Sequence, residues 1–235
     1  MIRSAALASS RLGHAHSTRD DGPVGPLRLR GAATARATLV RAAGGDPEAV
    51  CIPEQVHGAR VAVATTGGAA FPATDALVTS ARGVPLFAQG ADCPLVLLFD
   101  ETARVVGVAH SGWRGTVARI AAATIDAMRG LGASPGRMDV AVFPGIGPCC
   151  FEVGLDVVAA FDGAFGATSR AWFAPGVADD KRMLDLAAAI TATLEASGVA
   201  RVHVVPGCTA CGGEFFSHRA SRGGPERHGL AAVLT

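Results

Sequence analysis

Tyrosine is absent from this chain of 235 residues, and aromatic side chains make up only 5% of it. A surface that stacks successive nucleic-acid bases is therefore not expected. Charge is also sparse. Lys, Arg, Asp and Glu supply 17% of the residues, and 21 basic against 20 acidic side chains leave a formal net charge of +1. So even a balance gives no electrostatic footprint for nucleic acid or an anionic membrane. No apolar run approaches the roughly 20 residues of a membrane span. The stretch Ala5 to Ala8 is too short for the core of a secretory signal, which points to the cytoplasm. Internal repeats and hinge-like charge runs are missing too, so one domain over residues 1–235 is expected, as a monomer with a small-molecule ligand.

What the sequence does have is apolar material, 49% of its residues, enough to bury a substantial core. Its 30 glycines often stand beside His or Cys, as where backbone must approach something closely. Six cysteines in a cytoplasmic chain of this length do not suggest a disulfide framework, which belongs to small secreted domains, so each is read separately.

Short apolar runs bounded by Gly, Pro or Asp predict strands at 60–64, 76–79, 86–88, 94–99, 105–109, 139–143 and 201–205. Helical spacing predicts helices over 116–131, 155–165 and 184–196, with a shorter one at 36–43. Most strands precede His110 and the clear helices follow it. That order favours an α+β class over a regular βαβ alternation.

The chemistry is concentrated around residues 90–116. Gly90 to Phe99 and Val105 to His110 read as the arms of an antiparallel hairpin. With the turn centred between Glu101 and Thr102, Cys93 stands directly opposite His110 on one face. A thiol and an imidazole so placed can hold a borderline metal such as zinc, or can act as nucleophile and general base. His57, followed by Gly58, offers a third ligand. Two His and one Cys leave a fourth position open, the pattern of a catalytic zinc. Asp92 is expected to move a proton or orient a ligand histidine. Arg114, beside a helix start capped by Thr116, is expected to bind a phosphate or carboxylate. The turn from Pro144 to Gly154 is read as a wall of the site through Cys149.

Two motifs stand apart. Cys208-Thr209-Ala210-Cys211 would need two further ligands for a structural zinc, and Cys149 and Cys150 supply them only if the fold joins the two loops; the sequence shows no such context, and the reading here leaves the motif without a metal. His14 and His16 read as a strand with one ring buried and one exposed, or with both at the pocket rim.

Taken together, Gln55-Val56-His57-Gly58, Ala91-Asp92-Cys93-Pro94, His110-Ser111-Gly112-Trp113-Arg114-Gly115, Ile146-Gly147-Pro148-Cys149-Cys150-Phe151-Glu152-Val153-Gly154 and Phe215-Phe216-Ser217-His218-Arg219 resemble the laccase-domain or polyphenol oxidase family, also described as laccase-domain purine nucleoside phosphorylases. The resemblance implies a four-layer α/β/β/α sandwich and a zinc on His57, Cys93 and His110. It also implies phosphorolysis of adenosine, inosine and methylthioadenosine, with deamination of adenosine as a second activity. Asp92, Cys93 and His110 are then the catalytic residues, and Gln55, Arg114 and Cys149 the substrate contacts. The chain departs from the family where Pro26 to Gly31 and Ala35 to Ala37 replace Asn-containing stretches, and where His16 and His218 replace aromatic residues.

The competing reading is a metal-free cysteine hydrolase using Cys93 and His110, acting on peptidoglycan precursors. Copper oxidation of phenols is disfavoured by the seven histidines, few for a multicopper centre. A sensor that binds a nucleoside without turnover is disfavoured by the open coordination position alone.

Overall fold

The computed structural model describes residues 1–26 and 28–235; Leu27, within the divergent Pro26 to Gly31 stretch, lies outside them. In chain order the strands are β1 (Leu12–His16), β2 (Ile52–Pro53), β3 (Val61–Val63), β4 (Ala70–Phe71), β5 (Ala76–Thr79), β6 (Leu86–Gly90), β7 (Leu95–Asp100), β8 (Val105–His110), β9 (Asp139–Val142), β10 (Glu152–Gly154), β11 (Phe173–Pro175), β12 (Lys181–Leu184), β13 (Arg201–Val204) and β14 (His228–Leu234). The helices are α1 (Ala32–Ala42), α2 (Trp113–Val117), α3 (Ile120–Gly130), α4 (Leu155–Phe165) and α5 (Leu186–Ala196). None is long and apolar enough to cross a membrane.

A six-stranded sheet in the order β13-β9-β7-β8-β5-β3 and a three-stranded sheet β1-β14-β6 form the two inner layers. Leu77, Leu97, Phe99, Val106 and Val108 of the first meet Leu86, Ala88, Leu230 and Ala232 of the second in one buried cluster. The other face of the large sheet, with Val78, Val96, Leu98 and Val140, packs on Ile125, Met128, Ile190 and Leu194 of α3 and α5. Across the small sheet, Phe87 and Ala231 pack on Leu39 and Val40 of α1. The chain is thus an α+β protein with α/β/β/α layers. Being covered on both faces explains why β7 and β8 are continuously apolar rather than alternating.

The hairpin register differs from the sequence expectation. Leu95, not Cys93, pairs with His110. Cys93 precedes the strand, in the bend between β6 and β7. The predicted helix 116–131 is also divided, because Arg119 adopts a left-handed φ of 67° between α2 and α3. Gly112 rather than Thr116 caps α2, while the Thr116 hydroxyl donates to the Gly112 carbonyl at 3.0 Å. His14 and His16 do lie on a strand, β1, but both rings are buried. His16 stacks on Phe143 at 4.9 Å between the sheets instead of facing a rim.

Candidate metal centre

Strands β7, β8, β5 and β3 are neighbours, and their mutual directions bring four chain segments to one edge of the sheet. His110 ends β8. Cys93 lies just before β7, and His57 in the loop before β3. One ligand atom from each of His57, Cys93 and His110 comes within 4.8 Å of the others, and the two imidazole rings meet edge-on with centroids 4.8 Å apart.

Asp75, one residue before β5 and fully buried, organises this edge. Its Oδ1 lies 2.9 Å from His110 Nδ1. The same carboxylate accepts backbone N–H bonds from Val56, His57 and Gly58 at 2.8–3.1 Å. Those bonds hold His57 at a left-handed φ of 62°, a conformation that costs a non-glycine residue about 1–3 kcal/mol unless its surroundings enforce it. Sequence reasoning missed Asp75. The orienting role considered for Asp92 belongs to Asp75, which has no motif around it beyond its position at the start of a strand neighbouring β8.

The electrostatics follow from the packing. Burial pushes the Cys93 thiol up, but hydrogen bonds and charge from His110 and His57 outweigh it and leave the thiol at about 6. For His110, burial pulls the ring down, and Asp75 and Cys93 together raise it to about 9. Burial likewise raises Asp75, and its bonds to His110 and the loop amides hold it below the usual carboxylate range.

These donors fit zinc. Two nitrogens and one sulfur match the borderline character of the ion, and the Asp75 bond at Nδ1 turns the other nitrogen of His110 away from that partner, the usual support of a metal-bound histidine. Gly112 makes the space: a Cβ there would lie 2.7 Å from Cys93 Sγ and 3.2 Å from His57 Cδ2. A His2Cys set also suits copper when a distant axial Met or Gln completes it; no methionine lines this cavity among the described residues, and the Gln55 amide is engaged at both ends by the Gln89 backbone.

The centre opens into a cavity of about 640 Å³, within the range of small-molecule sites. Asp92 is the one carboxylate among its described lining residues, against Arg28, Arg114, Arg219 and Arg227. Asp92, at a left-handed φ of 83°, is held from both sides: Thr209 Oγ1 donates to Oδ1 at 2.6 Å and the Arg219 amide to Oδ2 at 2.7 Å. The Arg114 guanidinium lies 4.3 Å from the centroid of its own neighbour Trp113. Gln55 lines the cavity, but its amide is engaged in both directions with the Gln89 backbone at 2.7 and 2.9 Å. Cys149 is exposed and lies outside the lining, a correction to its expected substrate contact; the turn contributes Ile146 and Phe151 instead. Arg28 and Arg227 are cavity residues that the sequence reading did not select, and His218 and Arg219 stood there only within a family motif with no role assigned; these segments join the site only through the fold.

Residues 30–234 match the family described as multi-copper polyphenol oxidoreductase laccase. The chain is 39% identical over 213 residues to purine nucleoside phosphorylase ORF3 of Streptomyces griseus, covering 85% of this chain and 84% of that protein. It is 39% identical over 198 residues to adenosine deaminase RL5 from an unknown prokaryotic organism, covering 79% and 75%. Among solved structures, YlmD from Geobacillus stearothermophilus superposes with a TM-score of 0.87 at 28% identity, over 98% of this chain and 94% of the other.

Proposed function

The chain belongs to the multi-copper polyphenol oxidoreductase laccase family, and from that premise we propose that it is a zinc-dependent purine nucleoside phosphorylase acting on adenosine, inosine and methylthioadenosine, with deamination of adenosine as a second activity. The observation that carries the reading is the His57, Cys93 and His110 cluster in the wall of a cavity whose described lining includes four arginines. Relatives named for nucleoside phosphorolysis and for adenosine deamination support the substrate class.

When bound to these three residues, zinc supplies Lewis-acid polarisation of the reacting group. Asp75 keeps His110 oriented and its Nδ1 proton engaged, leaving the opposite nitrogen for coordination. Arg114, with Arg219 and Arg227, favours phosphate over a neutral nucleophile by charge. Asp92, beside Cys93, is the group nearest in sequence to the centre that can take up a proton, and its carboxylate accepts from Thr209 Oγ1 and the Arg219 amide.

The test compares metal content and phosphate-dependent adenine release in the wild type and Cys93→Ala. Zinc bound by the wild type at this centre and lost together with adenine release in the variant is the expected result. A specific observation favours a second reading: with Cys93 at about 6 and His110 at about 9, the metal-free pair is a thiolate beside an imidazolium, the resting state of a cysteine hydrolase. Activity that survives chelators and is abolished by alkylation of Cys93 would select it.

A further inference from the structure

Four cysteines outside the catalytic centre converge on one place. The turn before β10 carries Cys149 and Cys150, and the loop after β13 carries Cys208 and Cys211. A bridge between Gly145 and Cys208 joins the two loops, and the Thr209 amide donates to the Gly145 carbonyl at 3.0 Å. The four sulfurs all lie within 4.8 Å of one another, with Cys149 and Cys211 3.7 Å apart. Zinc–sulfur bonds of about 2.3 Å arranged tetrahedrally set sulfur–sulfur edges of about 3.8 Å.

The surrounding backbone is shaped for sulfur. The Gly147 amide donates to Cys208 Sγ at 3.2 Å, a bond that supports a thiolate ligand. A Cβ on Gly147 would stand 3.3 Å from Cys149 Sγ and 3.4 Å from Cys208 Sγ, so glycine lets the turn close over the cluster. The vicinal pair Cys149 and Cys150 is poorly shaped for a disulfide with itself, while adjacent residues can direct two sulfurs to one ion.

We propose that Cys149, Cys150, Cys208 and Cys211 form a second metal site, a closed tetrathiolate centre that takes zinc and serves structure rather than catalysis. Four protein ligands leave no open position, and none of the four lines the catalytic cavity. Metal binding expels the remaining thiol protons and ties two loops that are distant in sequence. Those loops carry the contacts that fix Asp92: Thr209 Oγ1 to its carboxylate at 2.6 Å and the Ile146 amide to its carbonyl at 2.7 Å. The second ion thereby braces the segment that presents Cys93. It stands whether or not the first centre holds zinc.

The experiment uses the full chain, purified reduced, as wild type, Cys93→Ala and Cys149→Ser/Cys211→Ser, with zinc content measured and cobalt(II) as the spectroscopic probe. Cys93→Ala is expected to retain one equivalent of zinc and, with cobalt, the intense tetrahedral bands and thiolate charge transfer of a four-sulfur site. The double serine variant loses the four-sulfur cobalt signature and keeps only the zinc held through Cys93, and adding Cys93→Ala to it removes that zinc as well. Should that variant not fold, differential alkylation of the wild type reads the same point: the four thiols are protected together with zinc bound and react together after chelation. A Cys93→Ala protein that binds neither ion overturns the site, as do four thiols that react while zinc is bound, or disulfides between the two loops in the reduced preparation.

Discussion

Asp75 Oδ1 and His110 Nδ1 stand 2.9 Å apart, both groups buried, and this contact links the loop that carries His57 to the strand that carries His110. One carboxylate thereby sets the orientation of two of the three candidate ligands. Asp75→Asn is expected to weaken zinc binding about 10–100-fold, the usual cost of removing a partner of a metal-bound histidine. Competition with a chromophoric chelator measures it. An unchanged affinity would remove Asp75 from the site.

Zinc uptake should be coupled to protons. In the metal-free protein His110 keeps its proton up to about 9, whereas Cys93 is already a thiolate above about 6. Coordination requires the thiolate and a neutral imidazole. Between those two values one proton, that of His110, must leave, so apparent affinity rises about tenfold per pH unit, flattens above 9 and steepens below 6. Affinity independent of pH from 6.5 to 8.5 contradicts the coupling.

Gly112→Ala places a methyl group 2.7 Å from Cys93 Sγ. Metal affinity should fall about tenfold or more, as when ligand support is lost, with the circular dichroism of the fold retained. The control is Gly163→Ala on the exposed face of α4, where an added Cβ meets open space. That variant should gain about 0.5–1 kcal/mol in urea denaturation. Equal metal affinity in the two variants would show that the crowding at Gly112 is harmless.

Acid should destabilise the fold through its buried histidines. Burial lowers His14, with help from the Arg3 charge, and lowers His228, each to about 4; burial and the charge of His228 put His16 well below its ordinary 6.5. The unfolded chain takes up protons near 6.5 while the folded one does not, so stability is full above 6.5 and declines as pH falls toward 4. His16 also stacks on Phe143. His16→Phe should therefore raise the urea midpoint at pH 5 more than at pH 7. A difference that does not depend on pH would mean that His16 contributes packing alone.

Arg114 separates phosphate binding from nucleoside binding under the proposed activity. Its guanidinium rests on Trp113 at the cavity wall. Arg114→Ala should raise the KM for phosphate about tenfold or more, the scale of a lost charge-assisted contact, with a smaller change in the KM for adenosine. Steady-state kinetics with each substrate varied in turn decides it, and a change confined to the adenosine KM would assign Arg114 to the nucleoside.

Legibility in the sequence followed local signal strength. Strands such as Ala76–Thr79 and the helix Leu155–Phe165 coincide with the apolar spacing that predicts them, because each must bury one face or both. β14 has no such signal: His228-Gly229-Leu230-Ala231-Ala232-Val233-Leu234 mixes small residues of low strand propensity. It is a strand because it lies between β1 and β6. At Gly229 smallness is required, since a Cβ would come within 2.8 Å of Phe87 and Val24.

By itself the sequence determined the α+β class, the apolar strands of the large sheet and the residue types available for a catalytic metal centre, since periodicity and donor chemistry are local properties. Tertiary structure alone decided that Asp75 rather than Asp92 meets His110, that Leu95 occupies the register position expected of Cys93, and that two cysteine pairs far apart in the chain share one site. These are relations between segments. They depend on which strands become neighbours and where each loop turns back, and that is settled by burying both faces of two sheets at once.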